Sequence, residues 1–168
     1  MKLAIAIIAV FLLVAACILL IGYLLHPTRS GTTSRTILAP SQVVRDTILD
    51  AESQSEWRKS VKSVERTSEK TWIEATSDGD RIEFQILEST DTEISLGFKS
   101  KRGFTGRWDA QISKLDEGGT RLFIREQSAT PNPIIRIVSR LFFNPTAFAE
   151  KYLEELAIEV ENRMQNGE

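Results

Sequence analysis

"GFTGRWDAQISKL", from Gly103 to Leu115, is the stretch of sequence that decides the fold. From Phe104 to Ile112, small or apolar residues occupy every second position, and polar or charged residues occupy the positions between them. Successive side chains of an extended strand point to opposite faces, so this alternation predicts a β-strand with one dry and one wet face. The residues on the predicted dry face are Phe104, Gly106, Trp108, Ala110 and Ile112.

The segments on either side repeat this pattern. Gly79 and the pair Gly118 and Gly119 supply turns between the alternating segments. Short strands of period two, separated by turns, predict an antiparallel meander with one face in the core and the other in water. The predicted dry faces carry Ile82, Phe84 and Ile86, then Ile94, Leu96 and Phe98, and finally Leu122, Ile124 and Glu126.

Helices are predicted before and after the meander. A short strand at 36–38 precedes Pro40, which suits the first turn of a helix, and a second short helix is expected near Trp57. Towards the C-terminus, Asn132 and Asn144 each precede a proline, a pattern typical of a capped helix start. The final helix is predicted over 145–163. Its apolar stripe comprises Ala149, Tyr152, Leu153, Leu156 and Val160.

Several of these stretches, in this order, resemble the START and birch-pollen-allergen superfamily, in its bacterial subgroup of polyketide cyclase/dehydrase and lipid transport proteins. The resemblance implies an α+β helix-grip fold, in which a curved antiparallel β-sheet wraps around a long C-terminal α-helix. It also implies a cavity for a hydrophobic or amphipathic ligand. The stretches that carry it are Ala39 and Pro40 with Val43 and Val44, Trp57 with Val61, Val64 and Glu65, Phe104 to Trp108, "GTRLFIRE" (119–126), and "NPIIRIVSRLF" (132–142) leading into "YLEEL" (152–156).

The residues predicted to bind a ligand lie on the dry faces of these elements. Aromatic side chains there can line a cavity or can simply fill the core, and both interpretations stay open. A carboxylate such as Glu126 would have a raised pKa if it pointed into an apolar cavity, or would face water and pair with Arg81 or Arg107. The predicted ligand-binding residues are Phe84, Phe98, Phe104, Trp108, Glu126 and Tyr152.

The composition excludes several kinds of function. The chain has one His and one Cys, at positions 26 and 17, so the predicted domain that follows has no residue of either type. No metal-ligand spacing and no glycine-rich phosphate loop is present, and a net charge of −2 argues against nucleic-acid binding. We therefore predict no catalytic residues, metal or cofactor. Enzymatic activity stays open, with carboxylates and Tyr152 as its remaining candidates.

"IIRIVSRLFF", from Ile134 to Phe143, predicts a short helix that is apolar over most of its circumference. Such a helix can be buried under the N-terminal helices, or it can act as a gate that touches a membrane while its arginines meet lipid headgroups. The residues of the predicted gate are Arg136, Arg140, Phe142 and Phe143.

The N-terminal segment contains no charged residue from Leu3 to Leu25, a run of 23 residues. At about 1.5 Å per residue this run is long enough to cross a hydrocarbon core of about 30 Å. Val14 to Cys17 resembles a lipoprotein cleavage site, but eight apolar residues follow the cysteine, and this favours a retained transmembrane helix. We predict an anchor over 1–25, a flexible tether over 26–34 and the START-like domain over 35–168.

These expectations define a function. Lys2 precedes the span and Arg29, Arg35 and Arg45 follow it, which favours a single-pass protein with a cytoplasmic domain. We expect a membrane-anchored domain that binds a hydrophobic small molecule or lipid close to the bilayer, with any protein partner unknown. The alternatives are a polyketide cyclase/dehydratase-like enzyme and a non-catalytic interaction module of a membrane complex.

Overall fold

The computed structural model describes residues 2–116 and 118–167. The order of helices and strands is the one that the sequence predicts. A strand and two short helices follow the N-terminal helix, and six strands and then two helices follow these. The elements are α1 (Lys2–Leu24), β1 (Thr28–Ile37), α2 (Ser41–Leu49), α3 (Gln54–Trp57), β2 (Val61–Arg66), β3 (Thr71–Thr76), β4 (Arg81–Ser89), β5 (Glu93–Ser100), β6 (Thr105–Lys114), β7 (Thr120–Ala129), α4 (Pro133–Phe142) and α5 (Pro145–Asn166).

The seven strands form one antiparallel sheet in the order β1-β7-β6-β5-β4-β3-β2. Strands β2 to β7 are a meander, and β1 closes the sheet by pairing with β7. Register shifts at 61–63 in β2 and 86–88 in β4 are sites at which strands bend. The curved sheet and the long α5 confirm the predicted helix-grip fold.

The core lies between the dry face of the sheet and α5. The alternation in the sequence matches the buried positions. Trp108, Ala110 and Ile112 are at most 8% exposed, whereas the residues between them are half-buried or exposed. The apolar stripe of α5 is also confirmed. Its fully buried members are Ala149, Leu153, Leu156 and Val160.

Both predicted asparagine caps are present. The Asn132 side chain accepts hydrogen bonds from the backbone N–H groups of Ile134 and Ile135, at 2.9 and 3.3 Å. Asn144 accepts from Thr146 and Ala147 at 3.0 and 3.3 Å. Each cap satisfies donors that the first helical turn leaves free, and so fixes where α4 and α5 begin.

The segment predicted as a flexible tether differs in the structure. Strand β1 begins at Thr28 and pairs with β7 along its whole length, so 28–34 belong to the sheet. The pattern was missed because only Gly31 and Ile37 of this strand are buried, and an edge strand of Ser, Thr and Arg shows no apolar period. Gly31 is required here: a Cβ would lie 2.6 Å from the backbone of Pro145, where α5 crosses the strand.

Candidate functional site

A cavity of about 490 Å³ lies between the sheet and α5. This volume is within the range of small-molecule sites, and its walls are mainly apolar side chains. The structure brings all six predicted ligand-binding residues to these walls, namely Phe84, Phe98, Phe104, Trp108, Glu126 and Tyr152. Their assignment to a ligand stays a prediction.

Aromatic rings form a continuous row along the sheet side of the cavity. Trp72 pairs with Phe84 across β3 and β4, and their rings stack at 5.4 Å. Phe84 pairs in turn with Phe98 at 5.8 Å, and Phe98 meets Phe104 edge-on at 6.3 Å. The row exists because cross-strand neighbours project from the same face of a sheet. It gives the cavity a rigid apolar floor.

A buried ion pair lies at one wall of the cavity. The Arg58 guanidinium donates hydrogen bonds to both carboxylate oxygens of Glu74, at 2.9 and 3.1 Å, and another to the Gln54 side chain. The indole N–H of Trp72 donates to Glu74 at 3.2 Å. Glu74 is 1% exposed, and the guanidinium lies 5.4 Å from the centre of the Tyr152 ring. These contacts neutralise Glu74 and hold Arg58 in place.

Sequence reasoning missed Arg58 and Glu74. The alternation that places Trp72 on the dry face also places Glu74 there, two residues later, so one half of the pair had a readable signal. Arg58 follows the short helix α3, and it contacts Glu74 of β3 only because the folded chain brings these two elements together. No spacing in the sequence indicates that contact.

Glu126 and Tyr152 are two polar residues at the wall of the cavity. Within residues 2–116 and 118–167, no group is hydrogen-bonded to the Glu126 carboxyl or the Tyr152 hydroxyl. Arg81 instead pairs with Glu65, and Arg107 with Asp109. Burial raises the pKa of Glu126 from its ordinary value of 4.5 to about 7, against the smaller opposing effect of Arg58. Burial likewise raises the pKa of Tyr152, so its hydroxyl stays protonated.

The cavity reaches one end of the sheet, which we call the anchor end. Strand β1 begins here and β7 ends here, and the turns at 77–80 and 101–104 lie at the same edge. Phe143 and Phe148, at the start of α5, line the cavity at this end with their rings 5.7 Å apart. Helix α1 stops directly before β1, so the anchor end also receives the apolar N-terminal helix.

Helix α4 connects the anchor end to α1. Arg136 donates hydrogen bonds to the carbonyl oxygens of Gly22, Tyr23 and Leu25, at 3.4, 3.4 and 3.2 Å. These are the carbonyls that the end of a helix leaves without a partner. Gly22 allows the contact, because a Cβ there would lie 2.3 Å from the Pro133 oxygen.

The four residues of the predicted gate fall in distinct places. Arg136 binds the end of α1, and Arg140 donates at 3.4 Å to the His26 oxygen. Phe142 is 83% exposed, whereas Phe143 borders the cavity. No residue of α4 is buried, so the interpretation that this helix is hidden under other helices does not hold.

Helix α1 is long and apolar enough to cross a membrane, by length and composition. Gly22 is its only buried residue, and the large apolar side chains of α1 are exposed. In the described part of the chain, no group of three or more His, Cys, Asp or Glu side chains is arranged to hold a metal ion.

Solved structures with the same arrangement identify the fold. A START superfamily protein from Mycobacterium smegmatis aligns with a TM-score of 0.62 at 11% identity, over 79% of this chain and 97% of its own. An aromatase/cyclase from Streptomyces gives 0.62 at 12%, over 82% and 96%. A norcoclaurine synthase from Thalictrum flavum gives 0.65 at 6%, over 82% and 96%. This chain has a START/birch-pollen-allergen-like fold.

The resemblance inferred from the sequence is thereby confirmed at the level of the START-like fold. The sequence itself matches no family model and no curated protein. At identities of 6 to 12% the three structures establish the architecture and not the ligand.

Proposed function

We propose that this protein is a membrane-anchored START-like domain that binds a hydrophobic small molecule or lipid. The observation that carries this proposal is the cavity of about 490 Å³, with an aromatic floor, that reaches the end of the sheet beside α1. An apolar cavity of this size favours an apolar occupant, because burial removes that molecule's surface from water. The anchor then keeps the cavity beside the membrane in which such molecules dissolve.

The fit between α1 and α4 supports a retained anchor. A signal peptide leaves the mature protein and has no need of a matched surface on the folded domain. Here the backbones of Gly22 and Pro133 are in close contact, and the Arg136 side chain binds the last carbonyls of α1. The remaining apolar surface of α1 is exposed, and a bilayer would cover it.

The exposed face of α4 supports its role as a gate at the membrane. Ile134, Val138, Leu141 and Phe142 are 49 to 83% exposed and lie on the helix that contacts the end of α1. Apolar side chains beside basic ones suit the headgroup boundary of a bilayer. Phe143 follows directly and borders the cavity, so a movement of α4 at the membrane would open or close the cavity.

The proposed orientation places the START-like domain in the cytoplasm, since Arg29, Arg35 and Arg45 follow the span and Lys2 alone precedes it. A reporter enzyme fused after the last residue tests this. Activity of a reporter that functions only in the cytoplasm is the expected result. Activity only of a reporter that requires export would reverse the orientation and leave the cavity unchanged.

Ligand binding is tested with anthracene, a hydrocarbon without hydrogen-bonding groups. Full-length protein in phosphatidylcholine nanodiscs is titrated, and binding is followed by energy transfer from Trp72 and Trp108, which border the cavity. The control is Leu96→Phe with Ala149→Phe, which fills the cavity from sheet and helix; Ile82→Phe is a milder second variant. Saturable transfer in the wild type that is lost in a folded filled variant is expected. Equal transfer in both would contradict the proposal.

The enzyme alternative is favoured by one observation: Glu126, whose pKa burial raises to about 7, and Tyr152 line the same cavity. A carboxyl group with such a pKa can exchange a proton with a bound substrate at physiological pH. Turnover of a bound ligand that Glu126→Gln abolishes, with ligand affinity retained, would establish this alternative. The interaction-module alternative has no such support, since the protein's own side chains leave the cavity open.

A further inference from the structure

We infer that the ligand of this cavity is a neutral amphiphile whose polar group is a hydroxyl, bound by the Glu126 carboxyl and the Tyr152 hydroxyl. This inference rests on the proposed function, because it specifies the ligand class of the same cavity. It is carried by two cavity-lining side chains, Glu126 and Tyr152, that have no hydrogen-bond partner in the described part of the chain.

The two groups lie around the same aromatic side chain. Glu126 is the cross-strand neighbour of Trp108 in the register of β6 and β7, so both side chains project from the same face. The Trp108 ring lies 5.6 Å from the Tyr152 ring, edge-on. Glu126 therefore lies beside Trp108 on the sheet, and Tyr152 contacts Trp108 from α5.

Neither group has a protein partner in the described part of the chain, so each depends on solvent or on a ligand for its hydrogen bonds. Both residues are half-buried at the wall of the cavity, and a ligand that displaced water from them without replacing its hydrogen bonds would lose affinity. Two other polar side chains at the cavity wall are paired: Glu74 accepts from Arg58 and Trp72, and Gln54 accepts from Arg58. The contrast within one wall indicates that Glu126 and Tyr152 are left free for a bound molecule.

The charge of the wall selects the polar group of the ligand. Arg58 is paired with Glu74 and Arg102 with Asp78, so among the described residues the cavity has no unpaired cation to bind a carboxylate ligand. A carboxylate would also be repelled by Glu126 whenever that side chain is ionised. Burial of an ammonium group would carry a large desolvation cost, which pairing with Glu126 would offset only when that carboxyl is ionised.

A hydroxyl meets both groups without bringing charge into the cavity. It can donate to a Glu126 oxygen and accept from the Tyr152 O–H, or bond in the reverse sense when Glu126 is protonated. The rest of such a ligand would lie on the aromatic row formed by Trp72, Phe84 and Phe98. The selected class is an alcohol with an apolar body.

The experiment compares decanol, decylamine and decanoate, which share one chain and differ in the polar group. Each displaces anthracene from full-length protein in phosphatidylcholine nanodiscs, with the cavity-filled variant as the baseline. The variants are Glu126→Leu, Glu126→Gln and Tyr152→Phe. We expect decanol to bind most tightly and to lose about tenfold in affinity in Glu126→Leu and in Tyr152→Phe, the equivalent of one lost hydrogen bond. Glu126→Gln, which still donates and accepts, should recover most of that loss.

The outcomes separate this inference from the proposed function. Unchanged decanol affinity in both Glu126→Leu and Tyr152→Phe would overturn the hydroxyl assignment while anthracene binding still upheld the cavity. Decanoate binding as tightly as decanol, or tighter binding by decylamine that strengthens above pH 7, would also overturn it. Anthracene that fails to bind the wild type above the filled baseline would overturn both.

Discussion

Glu126 couples the stability of the fold to pH. Its pKa in the folded protein is about 7, raised from 4.5 by burial, so the folded state keeps the proton over a range in which the unfolded chain has lost it. Because the pKa of this acid is higher in the folded state, the free energy of unfolding is highest below about pH 4.5. It falls as the pH rises from about 4.5 to about 7, and it is level above that.

Replacing Glu126 with Gln should remove this dependence. Between pH 5 and 8 the wild type is expected to lose at most about 3 kcal/mol of unfolding free energy relative to Glu126→Gln. Thermal unfolding of both proteins across this range measures the difference. Parallel pH profiles would show that the carboxyl of Glu126 is solvated in the folded state.

Arg58 should be more important for stability than its position after α3 suggests. Removing it by Arg58→Met leaves Glu74 buried without a counter-charge, and such a change costs about 3 to 5 kcal/mol. The matched control is Arg81→Met, which breaks the exposed pair with Glu65 and should cost less than about 1 kcal/mol. Thermal unfolding compares the two. Equal losses would mean that Glu74 is solvated or protonated.

The sequence predicts the wall residues of the cavity better than their partners. Alternation along strands assigns Phe84, Phe98, Trp108 and Glu126 to one face, and the helical stripe adds Tyr152, because both signals are periodic and local. The contact between Arg58 and Glu74 has no local signal, although alternation from Trp72 places Glu74 on the dry face. It depends on how β3 passes the end of α3, which only the folded chain determines.

At the scale of elements, β1 secures the end of α4. The Arg29 guanidinium donates to the carbonyl oxygens of Ser139 and Phe143, at 2.6 and 2.7 Å. These groups belong to the last turn of α4 and its C-cap, where a cation is also favoured by the helix dipole. The segment expected to be a tether therefore supports the last turn of α4, the helix of the proposed gate.

Arg29→Met should loosen the last turn of α4. Loss of about 1 kcal/mol of local stability corresponds to roughly fivefold faster hydrogen exchange of the backbone amides at 139–143. Arg35→Met is the matched control, since Arg35 lies on the same strand, is exposed and makes no side-chain hydrogen bond within the described ranges. Equal exchange rates in the two variants would contradict the role of Arg29.

The helices and the strands of the meander could be predicted from the sequence. The pairing of β1 with the sheet could not. The caps formed by Asn132 and Asn144, and the strands of period two, can be predicted because each depends on residues that are close together in the sequence. Strand β1 has only two buried positions and is stabilised mainly by its backbone pairing with a strand some ninety residues away. Its polar composition resembles a linker.

At the scale of the whole molecule, the proposed membrane anchoring requires the anchor end to face the bilayer. Phe142 lies at that end, and Ile158 lies thirteen residues after the start of α5, about 20 Å along the helix. Both side chains are exposed and apolar, at 83% and 61%. They therefore form a matched pair that differs in distance from the anchor.

Tryptophan placed at these two positions should report the orientation. In vesicles that contain brominated lipids, the Phe142→Trp protein is expected to be quenched well beyond the wild type, and the Ile158→Trp protein to the same extent as the wild type. The three native tryptophans are common to all three proteins. Equal quenching of the two variants would contradict contact between α4 and the membrane.

The central claim is that the cavity holds an apolar ligand in the living cell. The direct measurement is gentle extraction of the full-length protein from its own membranes, native mass spectrometry, and analysis of an organic extract, with the Leu96→Phe/Ala149→Phe protein in parallel. The account predicts one apolar species of defined mass, near one per chain, that is absent from the filled variant. The same bulk lipids in both samples, with no bound species in the wild type, would contradict it.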